Sequence, residues 1–241
     1  MIRILRFHWQ LYLRTAVLVA AALLLAPHCG GLVRTLLRAA AIPAIFWFVS
    51  SLLVSWYVYD RSSLSGLRWL PRWLSRKPAR WLNLHAGLDD ASAVLARLFP
   101  RAEGRVLDIF DPAEMTEPSI HEARRAVRAA ADGARTRWSA LPIATASLDA
   151  AFLIFTAHEL RRHASRVQLF RELARALRAG GSILLVEHLR DWRNFLAFGP
   201  GFLHFLPERA WRRAANDARL RVRADFTVTP FVHVFVLERT V

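Results

Sequence analysis

Residues 170–187 read Phe-Arg-Glu-Leu-Ala-Arg-Ala-Leu-Arg-Ala-Gly-Gly-Ser-Ile-Leu-Leu-Val-Glu. Up to Leu177 the apolar residues recur at helical spacing. Gly180-Gly181 then predicts the end of the helix, because glycine favours the conformations that terminate helices. Ser182–Glu187 follows as a short, mostly apolar run, which is typical of a strand buried on both faces. A helix followed by such a strand predicts an α/β fold with a parallel sheet.

The same alternation of short apolar and longer amphipathic runs extends over residues 81–241. Further strands are predicted over Trp81–Ala86, Arg105–Phe110 and Ala150–Phe155. Helices are predicted over Ala91–Phe99, Glu117–Ala131 and Val167–Leu177. Two extended runs at the end, Leu220–Val228 and Phe231–Glu238, predict an antiparallel pair at the edge of a mostly parallel sheet.

The positive charge of the chain is concentrated in its first third. The 241 residues include 34 basic and 19 acidic side chains, a net charge of +15. Residues 1–80 hold 11 basic side chains and one acid, whereas residues 81–241 have a net charge of only +5. Basic charge beside apolar runs indicates a membrane rather than a nucleic acid. The apolar fraction of 54% excludes a disordered polycation, and the single Cys29 excludes a disulfide scaffold.

Two uncharged segments lie in this basic region. Thr15–Val33 has 19 residues and Ala39–Tyr59 has 21. A helix of 21 residues is roughly 31 Å long, which is the thickness of the hydrocarbon core of a bilayer. Joined by the short connection Arg34–Arg38, the two segments predict an all-α transmembrane hairpin. Two alternatives stay open: the first segment is a cleaved signal peptide, or both segments form a buried hairpin of a soluble protein.

The flanks of the predicted hairpin carry more basic residues than its connection. Three arginines precede the first segment, six basic residues follow the second between positions 61 and 80, and the connection has two. The positive-inside bias therefore predicts a protein of the inner (cytoplasmic) membrane that spans it twice, with both termini in the cytoplasm.

The stretch 61–80 is basic and contains no acid. Its arginines and tryptophans each recur every four residues: Arg68, Arg72 and Arg76 beside Trp69 and Trp73. On a helix this spacing gives a cationic stripe beside an aromatic one, which suits anionic lipid headgroups. Alternatively, the stretch is a linker whose tryptophans pack on the domain that follows.

Side chains that suit a nucleotide-like ligand follow the predicted strands. Parallel sheets bind ligands at the carboxyl ends of their strands, near the point where the strand order reverses. Gly87, in the first turn, lets the backbone approach a ligand closely. Asp111 comes 24 residues later, after the second strand, where an acid accepts hydrogen bonds from ribose hydroxyls. Asp108 is an alternative but lies within the predicted strand, and Asp111 is equally a turn former before Pro112.

Over residues 81–241 the sequence resembles the class I S-adenosylmethionine-dependent methyltransferases, in particular methyltransferase type 11-like domains. The helix, Gly-Gly turn and strand of residues 170–187 are the most specific part of the resemblance. Ala146–Ala150 and Ala157–Leu160 are similar to the stretches before and after the family's fourth strand. The resemblance implies a Rossmann-like fold, S-adenosylmethionine as cofactor and methyl transfer as the activity.

The glycine-rich first motif of that family is only partly kept. Asn83 stands where the family has an acid, His85 and Asp89 replace the outer glycines, and Gly87 is retained. The family's third strand is also short, with only Thr136–Leu141 available. The resemblance implies a cofactor site made by six residues: Asn83, His85, Gly87, Asp89, Thr156 and, for the ribose, Asp111.

Four side chains near the ends of later strands are candidates for a catalytic base: His158, Glu159, Glu187 and His188. A base is needed only if the methyl acceptor is a hydroxyl or a protonated amine. Glu159 is equally suited to interacting with a helix dipole, and Glu187 and His188 to ending a strand. No metal site is expected, because His158 and His163 are five residues apart rather than the four of a helical chelate.

The stretch Asn194–Leu206 is unusually apolar for a connection. We expect either an apolar lid or lipid-facing loop that admits a hydrophobic acceptor, or a core helix.

These patterns together predict a membrane-anchored methyltransferase. Its expected partners are membrane lipids and a small or lipid-like hydrophobic acceptor, and no nucleic acid. The alternative is a catalytically inactive scaffold with a methyltransferase fold at the membrane, which the lost glycines favour.

Overall fold

The computed structural model describes residues 2–87, 89–126 and 136–240, and the chain divides into two compact units. The helical unit comprises Met1–Ser62 and Asp191–His204, and the sheet unit comprises Ser63–Arg190 and Phe205–Val241. The end of the predicted helix Glu117–Ala131 and Leu88 of the predicted first turn lie outside the described residues.

The helical unit is built on two long helices, α1 (Ile2–Leu25) and α2 (Gly31–Trp56), with a 3₁₀ turn between them. A π-helical turn prolongs α2. Over Gly31–Arg61 it is the one helix in the described part of the chain that is long and apolar enough to cross a membrane. The apolar part of the first helix, Tyr12–His28, is shorter.

The turn between these helices lies before the predicted connection Arg34–Arg38. The chain turns at Ala26–His28, and α2 begins at Gly31, so both arginines lie within the first turns of α2. Pro27 and two glycines interrupt the helix there. The Arg34 guanidinium donates to the carbonyl oxygens of Pro27 and Cys29, each at 3.3 Å, and so ties the start of α2 to the turn before it.

The sheet unit contains a six-stranded mixed sheet with the order β2-β1-β3-β4-β6-β5 in the described residues. The strands are β1 (Arg80–His85), β2 (Glu103–Asp108), β3 (Leu148–Ile154), β4 (Leu177–His188), β5 (Leu220–Thr229) and β6 (Val232–Arg239). The first four pair in parallel, and β6 pairs antiparallel with both β4 and β5. The predicted α/β fold with an antiparallel C-terminal pair is therefore confirmed.

The remaining helices are α3 (Ser92–Leu98), α4 (Pro118–Ala126), α5 (His163–Ala176), α6 (Trp192–Phe198) and α7 (Glu208–Asp217). In the sheet unit, β3 and β4 are almost completely buried, as their apolar runs predict. Phe170 of α5 and Trp211 of α7 are also fully buried, with ring centroids 6.5 Å apart, and join the same core.

Two boundaries differ from the prediction in ways that affect the site. β2 ends at Asp108 rather than Phe110, because the Asp108 carboxylate accepts the N–H of Phe110 at 3.0 Å and turns the chain out of the sheet. Residues 136–141 are irregular apart from a turn at 138–139, so the described part of the chain has no strand between β2 and β3.

The basic stretch 61–80 packs on the sheet unit. It contains a short 3₁₀ turn, Leu70–Trp73, rather than a longer helix. Trp73 stacks on Phe226 of β5 with ring centroids 4.0 Å apart, and Trp69 meets the same ring edge-on at 5.6 Å. The structure therefore favours the second interpretation of this stretch, a linker whose tryptophans pack on the following domain.

We predict that replacing Gly104 of β2 with alanine destabilises the sheet unit. A Cβ at this position would lie 2.1 Å from the ring of Trp81, its partner on β1. We expect a loss of about 1–3 kcal/mol in the free energy of unfolding, the usual cost of overpacking a core. Urea unfolding of the full chain in detergent measures it.

The matched control is Gly66→Ala, whose Cβ would meet only ordinary contacts at 3.6 Å. Equal unfolding free energies for the two variants would contradict the packing of Trp81 on Gly104.

Candidate functional site

The order of the strands creates one site where the chain reverses direction across the sheet. β1 lies between β2 and β3, so that the chain moves to one side after β1 and to the other after β2. His85 pairs with Asp108 in register, which places the carboxyl ends of β1 and β2 side by side. This topological switch point is where open α/β sheets bind ligands.

Gly87 and Asn83 contribute the β1 side of this site. Gly87 has φ of 141°, a conformation that side chains rarely allow. Asn83 is buried, and its amide nitrogen donates to Asp89 Oδ1 at 3.1 Å and Ser92 Oγ at 2.9 Å. Its amide oxygen is buried with no hydrogen-bond partner among the described residues. Asn83 therefore offers an acceptor to a ligand or a water molecule.

Asp108 and Arg124 close the gap between β1 and β2. Asp108 is buried at the end of β2, and the Arg124 guanidinium contacts its carboxylate oxygens at 2.8 and 3.1 Å. The same guanidinium donates to the carbonyl oxygen of Ala86 at 2.9 Å and lies 4.2 Å from the ring centre of Phe110. A Cβ on Gly87 would lie 2.5 Å from Arg124 Cγ. Arg124 thus fills the space between the two strand ends.

Asp111 lies in the turn after β2 rather than at the strand end. One carboxylate oxygen accepts the N–H of Ala113 at 3.0 Å, and the other accepts the indole N–H of Trp138 at 3.2 Å. Both carboxylate oxygens of Asp111 therefore already have partners, one within the turn and one on Trp138. Asp108 is the acid that the structure places at the switch point.

Three other predicted cofactor residues have mainly local hydrogen bonds. His85 Nδ1 accepts the N–H of Gly87 at 3.2 Å. Asp89 Oδ1 accepts the N–H groups of Ala91 and Ser92, at 3.2 and 2.9 Å, just before α3. The Thr156 hydroxyl is within 3.1 Å of the carbonyl oxygens of Leu84 and Ile154, so it links the ends of β1 and β3.

Three of the four predicted catalytic residues form one cluster. His158 Nδ1 is 2.8 Å from Glu187 Oε2, and its Nε2 is 3.3 Å from Glu159 Oε1. Burial alone would lower the pKa of His158, but the carboxylates of Glu187 and Glu159 outweigh it and raise this pKa to about 10. His158 is therefore an imidazolium at neutral pH and donates to both carboxylates.

Arg166 holds the loop that carries this cluster. Its guanidinium is buried and donates to the carbonyl oxygens of Leu160 and Arg161, at 2.7 and 2.8 Å. Burial lowers its pKa to about 10, so it stays charged at neutral pH. Arg166 thus fixes the chain two residues beyond His158.

His188, the fourth candidate, has different surroundings. Its ring is stacked between Phe155 and Phe205, at centroid distances of 5.0 and 4.8 Å. Its Nδ1 is 2.8 Å from the carbonyl oxygen of Phe231. Side chains alternate along a strand, so His188 and the neighbouring Glu187 point to opposite faces of the sheet.

Arg124 was not among the predicted site residues, and Asp108 was predicted only as an alternative to Asp111. Only the end of β2, two residues earlier than predicted, distinguishes Asp108 from Asp111. Arg124 has no distinguishing sequence pattern, because Arg125 beside it is equally basic. Phe155, directly after β3, has a positive φ of 51°, which the sequence did not predict.

The residues at the switch point fit a cofactor that contains a ribose and an amino acid moiety. The Asp108 carboxylate is the acceptor a ribose diol needs, and the unpartnered Asn83 oxygen is a second acceptor. Gly87 lies beside this acid and packs against Arg124, whose Cγ a Cβ would meet at 2.5 Å. Arg124 now uses the same Asp108 oxygens, so its guanidinium and a ribose compete for them.

Comparison with known proteins agrees with this architecture. Residues 92–185 match the family model described as a methyltransferase domain. A search of curated protein sequences gave no match.

Several solved structures share the fold. A SAM-dependent methyltransferase from Aquifex aeolicus aligns with a TM-score of 0.54 at 15% identity, over 75% of this chain and 92% of that one. Geranyl diphosphate C-methyltransferase from Streptomyces coelicolor A3(2) aligns at 0.53 and 12% identity, over 73% and 79%. The O-methyltransferase NcsB1 from neocarzinostatin biosynthesis aligns at 0.51 and 16%, over 84% and 60%. The chain therefore has the Rossmann-like fold of SAM-dependent methyltransferases.

We predict that His158 titrates near pH 10 and couples folding to pH. Its pKa is raised above the ordinary 6.5, so its stabilising effect is complete below pH 6.5 and is lost as the pH rises toward 10. We expect the free energy of unfolding to fall over this range more steeply in the wild type than in Glu187→Gln.

Carbon-13 NMR of labelled histidine in the full chain locates the His158 titration, and denaturant unfolding at several pH values gives the slope. A His158 midpoint near 6.5, or equal slopes in both proteins, would contradict the cluster.

Proposed function

We propose that this chain is a membrane-anchored, S-adenosylmethionine-dependent methyltransferase that acts on a small or lipid-like hydrophobic acceptor at the cytoplasmic face of a membrane. The observation that carries the proposal is the switch point between β1, β2 and β3, where the turn at Gly87 follows β1 beside Asp108 at the end of β2. The methyltransferase domain match and the fold support the same activity and the same cofactor.

Asp108 and Asn83 would hold the cofactor, with Gly87 giving room for close approach of the backbone. Of the other residues implied by the resemblance, His85 and Asp89 would support the shape of the turn after β1, and Thr156 would hold the ends of β1 and β3 together. Asp111 would order the turn beside Trp138. When bound, S-adenosylmethionine supplies an electrophilic methyl group, and the protein's main task is to hold the acceptor in line with it.

A carboxylate of the His158 cluster is the better candidate for a proton acceptor. His158 already carries its proton at neutral pH, so its ring nitrogens cannot accept another. Glu159 and Glu187 are buried beside it. His158 would therefore act as a positioning residue that holds the two carboxylates, and a carboxylate would accept the proton of a hydroxyl or amine acceptor.

The helical unit supports membrane anchoring. Gly31–Arg61 is long and apolar enough to span a bilayer, and it exposes large apolar side chains such as Ile42 and Leu53. The arginine-rich flanks favour a hairpin with both termini in the cytoplasm, where the methyl donor is made. A tether of this kind raises the local concentration of a membrane acceptor.

Two observations support a hydrophobic methyl acceptor: the proposed membrane anchor and structural neighbours whose substrates have apolar parts. One structural neighbour is a geranyl diphosphate C-methyltransferase, and NcsB1 was solved with naphthoic acids. These are small acceptors with large apolar parts. We propose a comparable acceptor here.

A second candidate function is that of a catalytically inactive scaffold. The observation that favours it is the ion pair between Arg124 and Asp108, which occupies the oxygens that a ribose needs. In a scaffold this pair would be permanent.

We predict that Arg124→Ala strengthens cofactor binding and Asp108→Asn abolishes it. Removal of the guanidinium frees the Asp108 carboxylate for the ribose hydroxyls, and we expect S-adenosylhomocysteine to bind at least about tenfold more tightly, a gain of about 1.4 kcal/mol. Calorimetric titration of the full chain in detergent measures the affinity.

Arg125→Ala is the matched control, because it removes the same charge from the same helix and its side chain is exposed. Methyl transfer is measured as tritium that moves from methyl-labelled S-adenosylmethionine into solvent-extractable membrane material. We expect more transfer by Arg124→Ala than by the wild type or Arg125→Ala, and none by Asp108→Asn. If neither the wild type nor Arg124→Ala binds S-adenosylhomocysteine at millimolar concentration, the scaffold is the correct function.

Chemical labelling of the single cysteine, Cys29, tests the orientation of the hairpin. Cys29 lies in the turn between α1 and α2 and is partly exposed. With both termini in the cytoplasm, a membrane-impermeant maleimide should label Cys29 from outside in bacterial spheroplasts. A variant with Cys29→Ser and Arg213→Cys, a position on α7, should be labelled only after permeabilisation. The reverse pattern would contradict the proposed orientation.

A further inference from the structure

The segment Asp191–His204 belongs to the helical unit, although it follows β4 in the chain. It contains α6 and a 3₁₀ turn, Gly199–His204. Between Asn194 and His204 it has no charged residue.

Aromatic and backbone contacts dock this segment on α2 at a defined position. Phe195 meets Trp47 edge-on with ring centroids 5.3 Å apart. Gly199 lies so close to the same indole that a Cβ would be 2.6 Å from it. The hydroxyl of Ser50 donates to the carbonyl oxygen of Leu196 at 3.2 Å.

The docking position lies near the middle of the apolar part of α2. Trp47 is nine residues after Arg38 and thirteen before Asp60. At 1.5 Å per residue these separations are about 14 Å and about 20 Å along the helix. If α2 spans a bilayer between these charges, the docked segment lies at the depth of the hydrocarbon core.

The outer face of the segment is apolar, as is the exposed face of α2, the helix on which the segment docks. Trp192, Leu196 and Leu203 are 67%, 47% and 56% exposed, and Ile42 and Phe46 of α2 are 70% and 52% exposed. So many large apolar side chains exposed together are rare on water-facing proteins. Because the segment docks on the apolar part of the candidate membrane helix, acyl chains are the partner that its outer face fits.

The backbone of the segment is also arranged for a medium without water. Asp191 Oδ1 accepts the N–H of Asn194 at 2.8 Å and so caps the start of α6. Leu196 lies in the last turn of α6, where carbonyl groups lack helical partners, and Ser50 supplies its donor. Unsatisfied backbone groups are costly in hydrocarbon, so both contacts suit an embedded segment.

We infer that Asp191–His204 is a membrane-embedded segment, a second lipid attachment inserted between β4 and α7. It rests on the proposed anchoring of α2, and it deepens that proposal because the catalytic fold is then connected to the bilayer at two points in the chain. Hydrophobic acceptors would meet the protein at this lipid-embedded segment.

Depth-dependent quenching tests this inference on the full chain. In a Cys29→Ser background, single cysteines replace Leu196 or Leu203, are labelled with bimane and are reconstituted into phosphatidylcholine vesicles with brominated acyl chains. Ile42→Cys on α2 is the lipid control, and Arg213→Cys on α7 is the water control. Leu196 and Leu203 are both exposed, so the substitutions keep the packing of the unit.

We expect bromine to quench positions 196 and 203 as strongly as position 42, and aqueous iodide to quench only position 213. Quenching at 42 but not at 196 and 203 would overturn the embedded segment and leave the proposed anchoring intact. The absence of bromine quenching at all of these positions would overturn both. Quenching at 196 and 203 without quenching at 42 would contradict the span by α2 on which the inferred depth of the segment rests, and so would overturn both.

Discussion

Parallel pairing of β1 with β2 on one side and β3 on the other is the constraint on which the site depends. It brings the ends of three strands to one edge, so that Asn83, Asp108 and the loop after β3 become neighbours although they are far apart in sequence. The chain then places one positive side chain, Arg124, across this edge. A ligand that uses the Asp108 carboxylate would therefore compete with that guanidinium.

The same edge continues through β4 to the His158 cluster. A buried imidazolium between two carboxylates is stable only because each charge has a partner, and Arg166 fixes the backbone that carries it. This arrangement makes His158 a donor rather than a base. It also explains why the proposed chemistry relies on positioning and on a carboxylate rather than on a histidine.

The fold followed from the sequence more fully than the site did. The buried runs of β3 and β4 have strong local signals, and Thr229-Pro230 marks the boundary between the two strands of the antiparallel C-terminal pair. The predicted helix stop at Gly180-Gly181 was wrong, because α5 ends at Ala176 and both glycines lie within β4. The end of β2 was predicted two residues too late, because a single hydrogen bond from Phe110 to Asp108 ends the strand early and strand ends have no local signal of that precision. Arg124 could not be foreseen, because its role depends on tertiary contact with Ala86 and Asp108. The turn between α1 and α2 was misplaced because charge, rather than Pro27 and the glycines, guided the prediction.

The central claim is that Asp108 exchanges Arg124 for the ribose of the cofactor. A structure of the full chain with S-adenosylhomocysteine tests it most directly. The account predicts the ribose hydroxyls on the Asp108 carboxylate, the ligand backbone close to Gly87, and the Arg124 guanidinium turned away from both. A ligand bound at another place, or an Arg124–Asp108 ion pair that stays intact beside it, would contradict the account.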